Sequence, residues 1–150
     1  MRACLTAVAA TIALAGCGDA PLPDEATSRL LVEQVVLDWH WFQADGNGES
    51  GCRLLTGERQ DAMAELHREI AASIEGDPVP EDCTAAVATY ASFPDSARQM
   101  LRDTRVDTVR LDGERATATA HTTVVLRGVE RQTPPVELPL VWSDGRWLID

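Results

Sequence analysis

The apolar residues of this chain change their spacing once, near Val106, and that change limits the fold more than any other feature. Before it, apolar residues recur every three to four positions, the repeat of a helix with one buried face. Residues 28–43 carry the best example, with Leu31, Val35, Trp39 and Phe42 on one stripe and Val32 and Val36 beside it. Thr27 or Ser28 can cap its start, and Asp45-Gly46-Asn47-Gly48 stops it. A short turn of helix follows around Cys52. Thr56 then reads as the cap of a helix running to about Ile74, with Met63, Leu66 and Ile70 inward. Gly76 to Pro80 breaks the pattern. A short helix through Cys83, Val87 and Tyr90 comes next, and Pro94 opens another that carries Met100 and Leu101.

From Val106 onward the repeat is two, the signature of strands with one buried face. Val106 to Leu111 is one strand, closed by Asp112-Gly113. Ala116, Ala118, Ala120, Thr122, Val124 and Leu126 share a face of a long second strand, which puts Thr117, Thr119 and His121 on the other. A third strand spans Val136 to Trp142, with Pro139 marking an edge or a bulge, and a fourth spans Trp147 to Ile149. Helices first and an antiparallel meander second predict an α+β domain.

The start of the chain carries an address. Met1-Arg2 precede an apolar run from Ala3 to Ala15, which is too short for the ~20 residues that cross a bilayer and reads as a secretory signal. The run ends in Leu14-Ala15-Gly16-Cys17, which resembles the lipobox of bacterial lipoproteins. That resemblance implies a diacylglyceryl group on the Cys17 thiol and cleavage before it. Residues 1–16 are then signal, 17–29 a polar tether, and 30–150 the domain. The expected location is the extracytoplasmic face of the cell membrane, held by lipid.

Two cysteines remain once Cys4 leaves with the signal and Cys17 takes lipid. In an oxidising compartment Cys52 and Cys83 are expected to form a disulfide. They are not in a C-x-x-C arrangement, so redox catalysis and a zinc knuckle are disfavoured. The formal charge of −11 argues against nucleic-acid partners and against docking on anionic lipid by charge alone. All thirteen basic residues are Arg.

The order of elements resembles the nuclear-transport-factor-2-like superfamily, and small actinobacterial lipoproteins within it. The residues carrying the resemblance are Ala44-Asp45-Gly46, Cys52-Arg53-Leu54-Leu55-Thr56, Cys83, Val109 to Ala116, and Asp144 to Ile149. It implies a cone, with N-terminal helices packed on a curved antiparallel sheet and a pocket between them. Leu31, Val35, Trp39, Ala118, Leu138 and Trp142 are the expected lining. A fold of this kind does not imply a reaction.

Candidate chemistry is sparse. His40, His67 and His121 lie too far apart in sequence for a local metal site, so no metal or other cofactor is expected. Tyr90 does not match the isomerase pattern. Asp107, Asp112, Glu114 and Asp144 fall at strand ends and turns, where solvation is the default. Asp38 with His121 is the one acid–base pair to weigh, and alternation turns His121 away from the alanine face. The expectation is therefore a non-enzymatic domain that binds a small apolar ligand or an envelope protein. The alternatives are a pocket enzyme of isomerase or dehydratase type, and a pure interaction module that dimerises through its sheet.

Overall fold

The computed structural model describes residues 20–76, 78–126 and 129–150. The expected signal segment, residues 1–16, and Cys17 lie outside the described residues. Among the described residues five α-helices and a 3-10 turn precede six strands, and the α+β class is as expected.

Helix α1 spans Glu25–Asp45, starting earlier than the sequence suggests because Asp24 is the cap, its side chain accepting from Thr27 N. Residues 25–29, expected as tether, are thus helical. Gly46 ends the helix in the left-handed conformation, which glycine adopts without a Cβ penalty. The buried stripe is Ser28, Val32, Val36, Trp39 and Gln43, one residue round from the expected one; Leu31 is 40% exposed and Val35 half-buried. Helix α2, Gly48–Cys52, is short and capped by Asn47. Helix α3, Gly57–Ala72, is capped by Thr56 as expected. It turns Ala64, His67 and Ala71 inward and leaves Leu66 and Ile70 exposed, contrary to the sequence reading. The small residues let α3 approach its neighbours closely, which the larger ones would prevent. Helix α4 is Cys83–Ala88, followed by a 3-10 turn at Thr89–Ser92, and α5 is Asp95–Arg102.

Strands β1 (Arg105–Asp112), β2 (Arg115–His121), β5 (Val136–Ser143) and β6 (Arg146–Ile149) form one antiparallel sheet in the order β1-β2-β5-β6. The expected long second strand is broken at Thr122. Its continuation, β3 (Thr123–Leu126), pairs with β4 (Val129–Gln132) as a separate hairpin, closed by Thr133 N donating to Thr122 O. Pro139 is tolerated inside the sheet because β6 runs out beside it. Its carbonyl accepts from Asp150 N, just past the last residue of β6, so the side that lacks an N–H faces the end of that strand.

The core lies between α1 and the sheet. Val32, Val36 and Trp39 meet Ala116, Ala118 and Ala120 of β2, Leu138, Leu140 and Trp142 of β5, and Trp147 and Ile149 of β6. The alanines admit the helix closely, so this space is filled. Cys52 and Cys83 are joined with their Cα atoms 6.1 Å apart, tying α2 to α4. Gly48 is required at that junction, since a Cβ there would sit 2.1 Å from Thr84 O. Among the described residues no helix is long and apolar enough to cross a membrane.

Candidate ligand pocket

Of the six residues expected to line a pocket, one does. Leu138 borders a cavity of about 450 Å³ at the end of the sheet where β2 finishes. Val35 packs on the core, Trp39, Ala118 and Trp142 belong to it, and Leu31 is 40% exposed on the outer flank of α1. Close contact of α1 with the alanine face removed the space where the cavity was expected. The opening lies beyond it, where the sheet outruns that contact.

The cavity is lined by His40, Thr104, Ala120, His121, Val136 and Leu138, and Thr122, Thr133 and Pro134 complete its rim. Each comes from a different local cause. His40 lies near the C-terminal end of α1, and its Nδ1 is 2.8 Å from Val36 O. A carbonyl only accepts, so Nδ1–H donates and neutral His40 keeps a bare Nε2. Burial holds the His40 pKa below its ordinary value, because the cation loses hydration, and the Val36 carbonyl offsets this in part. Thr104 sits between α5 and β1, buried.

His121 is the residue that sequence reasoning misplaced. It is buried, and its Nδ1 lies 2.8 Å from Asp107 Oδ2. The cause is an irregularity in β1. Val106 pairs with Ala120 and Thr108 with Thr119, so Asp107 is an extra residue with no opposite number. Such a bulge re-aims a side chain, and here it presents a carboxylate to the last residue of β2. The expected Asp38–His121 pair is not formed; Asp38 accepts instead from Gln34 on the same helix. With Nδ1–H donated to Asp107, the neutral ring has its lone pair on Nε2.

Two polar atoms of the lining residues are orphaned. His121 Nε2 and Thr104 Oγ1 are both buried without a hydrogen-bond partner. Buried polar groups are nearly always paired in native proteins, so two on one cavity ask for an explanation.

His67 and Tyr90 are elsewhere. They form an aromatic cluster with Phe93 under α3, with ring centroids 5.4 Å and 4.8 Å apart for successive pairs. Burial lowers the His67 pKa and raises that of Tyr90, with Gln43 working against the rise. Among the described residues no three or more His, Cys, Asp or Glu side chains gather as a metal site.

No family model matches the chain, and no curated protein matches it. Among solved structures it is similar to one titled Rd1NTF2_05, a variant with five substitutions. The TM-score is 0.47 at 13% identity, over 84% of this chain and 95% of that one.

Proposed function

We propose that this chain is a lipid-anchored extracytoplasmic domain that binds a small, mainly apolar molecule carrying a hydrogen-bonding group, without converting it. The observation that supports it is the cavity of about 450 Å³ at the end of the sheet, walled mainly by apolar side chains and bordered by His40, His121 and Thr104. The bare Nε2 of neutral His40 would accept from a ligand hydroxyl or amide N–H. The walls around Ala120, Val136 and Leu138 add transfer energy of about 25 cal/mol per Å² buried.

The Asp107–His121 pair favours one alternative, an enzyme that takes a proton from its substrate. A histidine oriented by a carboxylate and left with a free Nε2 is a competent base. Native mass spectrometry of the detergent-extracted chain separates the two readings. A retained small molecule of constant mass, lost in Leu138→Trp and weakened in His121→Ala, supports binding. Conversion of that molecule by the wild type and not by Asp107→Asn would make the chain an enzyme. If neither the wild type nor any variant retains or responds to a small molecule, the pocket reading fails.

The anchor has its own test. Cys17→Ser should leave the protein uncut or released, and it should no longer partition into detergent. Normal processing and membrane retention of that variant would rule out lipid on Cys17.

A further inference from the structure

The two ends of the sheet differ in what they hold. β1 and β2 meet in the turn around Asp112–Gly113, and β5 and β6 in the turn around Asp144–Gly145; the pairing register places both turns at one end. His121, which pairs with Arg105, marks the opposite end, and the β3–β4 hairpin departs from there. The cavity opens at that second end, since His121, Ala120, Val136 and Thr133 line it.

Ala20 is fixed at the first end. Its carbonyl accepts from Trp142 Nε1 at 3.1 Å, and its Cβ lies 2.9 Å from where a Gly145 Cβ would be. The segment expected to be a tether with no core to join is therefore docked by its fourth residue from Cys17. Three peptide links can span at most about 11 Å. Helix α1 then runs from this end toward the cavity: Arg29 donates to Val109 O of β1, and His40, further along, lines the cavity. Fifteen residues of helix separate Glu25 from His40, about 22 Å of rise.

We infer that the domain stands on the bilayer with the β1–β2 and β5–β6 turns against the lipid headgroups and the cavity facing away from the membrane. This rests on the reading of Cys17 as lipid-bearing. The length of chain before Ala20 carries the argument, because it is too short to let the domain turn over while Ala20 stays docked. The turn end is polar, with Asp112, Glu114 and Asp144 beside Arg115 and Arg146, as suits contact with headgroups and not insertion. The ligand therefore reaches the cavity from the aqueous side and not laterally from the bilayer that holds the anchor.

The test uses the full lipidated chain in vesicles of phosphatidylethanolamine and phosphatidylglycerol that include a nickel-chelating lipid. Single nitroxide labels are placed at Glu114→Cys and at Pro135→Cys, with the Cys52–Cys83 bridge left closed. Relaxation of the label by membrane-bound nickel should be several-fold stronger at position 114 than at position 135. A long Gly/Ser insertion between Cys17 and Ala20 should keep the protein on the vesicles and erase the difference, since a flexible linker no longer fixes which end is near. Equal relaxation at both positions without the insertion, or the reverse order, overturns the orientation and leaves the anchor standing. Failure to co-sediment with vesicles overturns the anchor reading, and the orientation with it.

Discussion

Val106 and Val109 both lean toward the core of β1, three residues apart, and a regular strand cannot do that. Inward positions separated by an odd number require an extra residue between them, and Asp107 is that residue. The spacing was present in the sequence, so the bulge could have been read there. Its partner could not, because strict alternation along β2 assigns His121 to the outer face, and only the end of the strand at His121 turns it inward. Asp107→Ala should lower stability in urea by about 1 kcal/mol, through loss of the acceptor for a buried N–H. Asp107→Asn, whose side-chain oxygen still accepts, should recover most of it. Equal loss in both would mean that charge and not orientation is what Asp107 supplies. Gly48 is a second residue whose role depends on one contact. A methyl group there meets backbone of α4 that the disulfide holds in place, so Gly48→Ala should destabilise by about 1–3 kcal/mol, the usual cost of overpacking. An unchanged urea midpoint would show that α2 and α4 can separate freely.

The helices were legible as elements and less so as faces. In α1 the run Leu30-Leu31-Val32 and the run Val35-Val36-Leu37 are apolar nearly all round, so periodicity fixes the helix but leaves its rotation open by one residue. The structure settles on Val32 and Val36, which are fully buried, over Leu31. In α3 the sequence favours the largest apolar residues as the core face, whereas packing selects Ala64 and Ala71. Val36→Ala should therefore cost about 1–3 kcal/mol, as buried methyl groups do, while Ile70→Glu should stay within about 0.5 kcal/mol. Matched urea curves on the two variants check this, and the opposite ranking would restore the sequence reading. The β3–β4 hairpin escaped notice for a different reason. Val129-Glu130-Arg131-Gln132 is exposed at every position and carries no buried face, so no alternation marks it. The space of the candidate site was lost from the sequence in the same way. Close packing of α1 on alanines and the break at Thr122 are both tertiary outcomes, and together they move the opening to the end of the sheet.

At the scale of the molecule, two histidines on different elements are kept neutral by burial, and this couples stability to pH. His40 on α1 and His67 on α3 both have pKa values lowered from 6.5 by loss of hydration. In the unfolded chain the same groups bind a proton near pH 6.5. Above that pH neither state is charged and the folded state bears no cost. As pH falls through 6.5 toward the lower folded-state values, the unfolded chain takes up protons that the native one refuses, and unfolding becomes easier. The disulfide does not mask this, since Cys52 and Cys83 do not titrate while joined. The urea midpoint should thus be level above about pH 7 and decline from about pH 6.5 to 5.5. The double variant His40→Gln, His67→Gln should flatten that decline, with His40→Gln alone removing part of it. Reduction of the Cys52–Cys83 bridge should lower the unfolding free energy by roughly 3–4 kcal/mol at every pH in that range. A wild-type midpoint that holds level through pH 5.5 would show that these two histidines are open to water in the folded protein, and a decline that survives in the double variant would show that other groups cause it.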